Sequence, residues 1–175
     1  MPGVKEVEAG AFSNCPNLIN AKFGKDLESI GVSAFDCCRS LERITLPLKH
    51  YSCYWANNIF ERCQNLNHVD LVEGVQETID TLIMKEWRND LNNEIGTINR
   101  ILPNIHAGNG SRRGGKAKFI RNWMKKVHPK YTHYKAEHRR YLNVTAALEP
   151  VLSKDIVLNN VLPFLSKSFA REEGE

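Results

Sequence analysis

The sequence predicts an α/β chain: about three coils presenting a parallel strand face, followed by an all-α helical domain. Three observations carry this reading. A Phe-x-x-Cys motif recurs at Phe12, Phe35 and Phe60, in steps of 23 and 25 residues. From Val75 onward the apolar residues instead step by threes and fours, the period of an amphipathic helix. Hydrophobic residues make up 42% of the 175 and charged residues 25%, close to the soluble globular average.

The repeated unit is longer than the Phe-Cys pair. Its first copy runs Ala11-Phe12, Cys15, Leu18, Ala21, Phe23, and its second Ala34-Phe35, Cys38, Leu41, Ile44, Leu46-Pro47. The third runs Ile59-Phe60, Cys63, Leu66, Val69, Leu71. Val4/Val7 and Leu27/Ile30 add matched apolar positions upstream of the first two. The last two apolar residues of each unit alternate, so they share one face of a short strand and their neighbours point outward. Those neighbours are Asn20 and Lys22, then Arg43 and Thr45, then His68 and Asp70. A single coil cannot bury its apolar side, so stacking is expected to set the Phe, Cys and Leu positions in ladders. Each buried Phe or Leu contributes roughly 1.5–3 kcal/mol.

With these residues in view, the segment resembles the leucine-rich repeats of the bacterial surface-antigen (BspA-like) type. That unit is approximately I-G-x-x-A-F-x-x-C-x-x-L-x-x-V-x-L-P, and the stretch from Ile30-Gly31 to Leu46-Pro47 matches it best. Upstream of Ile59 the third unit departs from it, with His50 to Trp55 in place of Ile-Gly. The resemblance covers residues 1–73 and implies a short leucine-rich-repeat solenoid that binds other proteins without chemistry of its own. The segment from residue 75 resembles the helical tails that follow such repeats in families of unicellular algae, which carry no known activity.

Val75, Ile79, Leu82, Ile83, Trp87, Leu91, Ile95, Ile98 and Leu102 predict one long amphipathic helix over 75–102, its stripe capping the last repeat. Residues 103–115 are a Gly/Arg loop by composition. Residues 116–166 form a basic helical region. In it a helix carrying Phe119, Ile120, Trp123, Met124 and Val127 should end or kink at Pro129. Another follows from about Lys130 to Leu148, and a last one starts at Ser153 as N-cap. Residues 167–175 are expected to be disordered.

The net charge of +4 is unevenly spread. Residues 111–140 hold eleven Lys/Arg against Glu137 alone, a net of +10, and the remainder carries −6. Such asymmetry points to a partner surface or to contact between the two parts. Arg112, Arg113, Lys116, Lys125, Lys126, Lys130, Arg139 and Arg140 are the candidate phosphate contacts, with Phe119, Trp123, Tyr131, Tyr134 and Tyr141 interleaved to stack on bases. A basic helical face that is simply solvated, or docked on acids such as Glu73, Glu77 and Asp80, is the plainer expectation.

Other chemistry finds little support. Gly110 to Lys116 fits G-x-x-x-x-G-K, but Ala117 stands where a phosphate loop needs Ser or Thr. The five cysteines have no C-x-x-C spacing, so Cys15, Cys38 and Cys63 read as buried thiols and Cys37 and Cys53 as exposed ones. His128, His133 and His138 fall five apart, which places them on different helix faces. No catalytic residue, metal or cofactor is therefore assigned. The expectation is a non-catalytic protein-interaction module using the strand face, with non-specific nucleic-acid binding as the alternative and a bare scaffold for the tail as a third. An odd number of cysteines, no apolar run of membrane length and no visible signal peptide suggest an intracellular site, cytoplasmic or nuclear, and no membrane.

Overall fold

The computed structural model describes residues 1–49, 58–106, 115–148 and 150–161. In the repeat segment, β1 (Glu6–Val7) pairs in parallel with β3 (Ser29–Ile30). On the other side, β2 (Asn20–Lys22), β4 (Arg43–Leu46) and β5 (His68–Leu71) form a parallel sheet in the order β2-β4-β5. Ala21, Ile44 and Val69 stand in register and are all buried.

Between the two sheets the units stack through a Phe ladder. The Phe12 and Phe35 rings lie 5.1 Å apart and the Phe35 and Phe60 rings 5.6 Å, both stacked. The backbone adds a ladder of its own: Phe12 N–H donates to Ala34 O (2.8 Å), and Phe35 N–H to Ile59 O (3.0 Å). The cysteines run the other way. Cys38 Sγ donates to Phe12 O at 3.0 Å and Cys63 Sγ to Phe35 O at 2.9 Å. Each thiol thus satisfies the carbonyl of the preceding unit's Phe, a role a plain hydrophobe could not fill. Burial pushes the Cys63 thiol up to about 12 and raises that of Cys38.

Two backbone features make this stacking possible. The residue before each motif cysteine is left-handed: Asn14 (φ 57°), Cys37 (59°) and Arg62 (58°). A non-glycine residue there costs about 1 kcal/mol, which the packing on either side offsets. At Gly31 the preceding coil comes so close that a Cβ would stand 2.5 Å from Ala9 N, so only glycine fits.

Two helices follow the last strand, α1 (Val75–Thr81) and α2 (Lys85–Ile101), the second ending in a 3-10 turn at Leu102–Asn104. Here the single helix expected over 75–102 is corrected. The chain is extended at Leu82 and Met84, and the groups freed there find side-chain partners. Ile83 N–H donates to His138 Nδ1 at 3.1 Å, while the Arg88 guanidinium donates to the carbonyls of Leu82 and Ile83.

A third helix, α3, spans Gly115–Leu148 and passes through Pro129 without ending. Pro129 is exposed, so its ring projects to the solvent side of the helix and not into the packed face. Packing on both flanks, with Val127 fully buried and Lys130 bonded to Asp90, holds the helix together across it. After α3 the expected helix at Ser153 is one short turn, α4 (Lys154–Ile156), widening into a π-helical turn at Val157–Val161. Ser153 caps it through its carbonyl, which accepts from Ile156 and Val157 N–H. Most of the expected Gly/Arg loop, Cys53 and the tail 167–175 lie outside the described residues.

One continuous core runs from Val7 and Phe23 through the repeats to Ile120 and Val127 of α3. At its C-terminal edge the sheet meets α2. The Asn99 carboxamide accepts from Val69 N–H (2.8 Å) and donates to Val69 O (3.2 Å), as a further strand would. Lys116, only 2% exposed, donates to Gln64 O (2.9 Å) and to Leu66 O.

Asn99→Ala is expected to destabilise the protein by about 1–3 kcal/mol, because it leaves a strand N–H and C=O unpaired. Exposed Asn93→Ala should stay within about 0.5 kcal/mol. Equal urea midpoints for the two would contradict the edge-closing role. A second expectation concerns acid. Burial holds the His138 imidazole below its ordinary value of 6.5, so the folded state favours the neutral ring. Its stabilisation is complete above about pH 6.5 and is lost as pH falls through the range below. Urea unfolding at pH 7 and pH 5 should show a smaller loss for His138→Asn, whose amide oxygen can accept the Ile83 bond.

Candidate functional site

The strand register places the six outward positions in two rows, Asn20–Arg43–His68 and Lys22–Thr45–Asp70. Five of the six reach solvent, and Asn20, Lys22 and Arg43 are exposed. Thr45 is the exception: expected outward, it is only 8% exposed, because it lies on the central strand between Lys22 and Asp70.

The rows are held by charge pairs. Arg43 Nη1 lies 2.9 Å from both carboxylate oxygens of Asp70, and His68 Nε2 lies 3.3 Å from Asp70 Oδ1. Lys22 Nζ reaches Glu73 Oε1 at 3.3 Å. Between these pairs is a depression of about 540 Å³, floored by Ala21 and Thr45 and rimmed by Lys22, Arg43, Asp70, Leu71 and Glu73. Strand alternation could not have found Glu73. Parity points to residue 72, but Val72 is buried and Glu73 turns outward at the end of the strand. Nor was the Asn99 contact legible: Asn99 Nδ2 stands 3.2 Å from His68 Nε2 and ties the face to α2.

The basic segment is divided between two environments. Lys116 is buried against the carbonyls of the last repeat, and burial lowers its pKa. It is thus unavailable to phosphate, either as a nucleic-acid contact or as the lysine of the G-x-x-x-x-G-K look-alike. Lys126 pairs with Glu94 at 2.7 Å, and Lys130 with both Asp90 (3.0 Å) and Glu94 (2.9 Å). Arg140 pairs with Glu137 at 2.7 Å. The docking acids are therefore Asp90 and Glu94. Of those expected, Glu73 holds Lys22, Glu77 accepts from Gly74 N–H, and Asp80 accepts from Gln76. Lys125 and Arg139 are exposed, while Arg112 and Arg113 lie outside the described residues.

The interleaved aromatics belong mostly to the core rather than to a base-stacking surface. Trp123 Nε1 donates to Glu94 O at 2.9 Å, Tyr134 stacks on Trp87 at 5.4 Å, and Tyr141 is buried. Tyr134 also donates to Asp90 Oδ2, and burial together with this bond raises its pKa. The hydrogen bond from Lys126, against the opposing pull of burial, and the bond from Lys130 hold the Glu94 carboxyl below the usual range. Among the described residues no cluster of His, Cys, Asp or Glu could hold a metal ion, and no helix is long and apolar enough to cross a membrane.

A lowered carboxyl pKa stabilises the folded state at pH values above the ordinary carboxylate range and ceases to do so as pH falls through the folded value. Glu94→Gln is therefore expected to cost about 1–3 kcal/mol at pH 7 and to flatten the loss of stability between pH 5 and pH 3. An unchanged acid limb in urea titrations would contradict this.

A family model described as BspA type leucine rich repeat region (6 copies) matches residues 1–92, through the three units and α1 into the first turns of α2. No curated protein matches the chain, and no solved structure does. The matched residues make up just over half of the chain, and they hold the Phe-Cys ladders and the parallel register. The chain belongs to the BspA-type leucine-rich-repeat family.

Proposed function

We propose that the chain is a non-catalytic protein-interaction module: a short leucine-rich-repeat solenoid closed by a helical domain, binding a protein partner on its strand face. The observation that carries this reading is the outward row of mixed charges across three registered strands. Lys22, Arg43, Asp70 and Glu73 line one depression, and the pairs Arg43–Asp70 and Lys22–Glu73 can exchange partners with an incoming chain. Exposed pairs of this kind contribute about 0–1 kcal/mol each, so opening them costs little while fixing orientation.

Three strands at ~4.8 Å spacing give a ribbon only ~10 Å across. A standard interface takes ~800 Å² per partner, so either a longer repeat array or the helical domain supplies the remainder. Asn99 already joins α2 to the strand face at His68. The thiol donors of Cys38 and Cys63 require reduced cysteines, which supports a reducing intracellular compartment.

The test uses the full chain as bait in cell extract, beside Lys22→Glu/Arg43→Glu, with circular dichroism to verify the fold. A specific partner held by the parent chain should be lost from the double variant. Retention of that partner by the variant would remove the strand face as its site.

A further inference from the structure

We propose that protonation of His68 switches the strand face between two arrangements, one tied to α2 and one released from it. Its effect on binding rests on the strand-face reading, whereas the switch itself rests on a single ring nitrogen. His68 Nε2 has two neighbours with opposite demands: Asn99 Nδ2 at 3.2 Å and Asp70 Oδ1 at 3.3 Å. The Asn99 carboxamide cannot be turned round. Its oxygen accepts from Val69 N–H and its nitrogen donates to Val69 O, so what it presents to the ring is an N–H. Only an unprotonated Nε2, with the ring proton on Nδ1, accepts that bond. A carboxylate asks for the reverse, because it only accepts. One nitrogen therefore serves either Asn99 or Asp70, and the proton decides which.

With the ring neutral, Asn99 joins His68 to α2 and Asp70 is left to Arg43, whose Nη1 lies 2.9 Å from both carboxylate oxygens. When Nε2 gains a proton, two N–H groups face each other across 3.2 Å and the bond to Asn99 is lost. The imidazolium then pairs with Asp70, which holds two cations in place of one. Asn99 keeps both of its bonds to Val69, so the sheet edge stays closed while the face is let go from the helix.

The groups around the ring pull in both directions. Asp70 on its own strand favours the imidazolium, and Arg43, its register partner on β4, opposes it as a like charge directly across the sheet. From α2 comes the neutral Asn99 amide, and from α3 comes Lys116, which is bound to Leu66 O two residues earlier in the chain. The His68 side chain is 35% exposed, so protons reach it from solvent. Imidazole is the side chain whose charge changes between about pH 5 and pH 8. The charge that the strand face offers a partner at Arg43 and Asp70 therefore differs on the two sides of this titration.

The experiment is NMR of the nitrogen-15-labelled full chain from about pH 8 down to about pH 5, with His68→Gln used to assign the His68 ring. At the upper end the ring should be protonated at Nδ1 and bare at Nε2. As pH falls, the Asn99 side-chain amide protons should move upfield with the same midpoint as the ring. The Val69 amide should keep its hydrogen-exchange protection factor throughout. Asp70→Asn should move the ring's titration to lower pH and Arg43→Gln to higher pH, with circular dichroism verifying each fold. The proposal is overturned by a neutral ring protonated at Nε2, by Asn99 signals that ignore the titration, or by loss of Val69 protection along with it. A titration unmoved in both variants would also overturn it. No partner is added, so failure here leaves the strand-face reading standing, and a partner retained by Lys22→Glu/Arg43→Glu leaves this titration readable.

Discussion

The arrangement of the chain depends on how the last strand of the repeat stack is closed. A parallel strand with nothing beside it leaves its backbone groups unpaired, and here those groups sit beside a shared core. A single carboxamide resolves the problem at Val69, because an amide side chain offers one acceptor and one donor at the spacing of a peptide group. Lys116 performs the complementary task at Gln64 and Leu66, where carbonyls alone need donors. Asn99 and Lys116 come from two different helices, so closing one edge fixes α2 and α3 relative to the repeats. The position of His68 on the strand face follows from the same contact.

Within the stack, the short motif has to satisfy several demands at once. Phe supplies area, the left-handed residue turns the chain, and the thiol then points back to the previous coil. Asn14 meets the turning requirement at low cost, whereas Cys37 and Arg62 do not, and both take further contacts in place. Arg62 Nη1 lies 3.3 Å from Asp36 Oδ2 and from Cys37 Sγ, a link between neighbouring units at the strained positions themselves. Local strain is thus tolerated where inter-unit bonding is densest.

What was legible in the sequence was periodic. The units announced the inward residues of the second and third copies and the register of β2, β4 and β5 because each copy repeats the same local chemistry; in the first copy Phe12, Cys15 and Leu18 are only partly buried, and Cys37, expected exposed, is partly buried too. Single events were not legible. No residue type marks the break at Leu82–Met84, where His138 of α3 and Arg88 of the next turn take up the freed backbone groups. Pro129 signalled a helix end that tertiary packing overrides. The outward rows of the candidate face could be written down from alternation, but the shielding of Thr45 and the outward turn of Glu73 depend on strand neighbours and on where the strand stops. Charge behaved similarly: composition gave the sign of the surplus in 111–140, and only the packing of α3 separates cations facing Asp90 and Glu94 from those facing outward.

On the Phe-Cys side of the coils the hydrogen bonds also have a direction: the Phe12 and Phe35 amides donate to the C-terminal neighbour, and the Cys38 and Cys63 thiols to the N-terminal one. A module of 23 residues copied between Phe12 and Phe35 would find a matching surface on both sides, since it would present the same donors and acceptors it displaced. The same module copied after Leu71 would come between Val69 and the carboxamide that closes its edge. Gene duplication can therefore lengthen this array from within, but not at its helical end without rebuilding the junction. Length variation among relatives with the same Asn and Lys at the junction should accordingly appear as whole units inserted ahead of the third one.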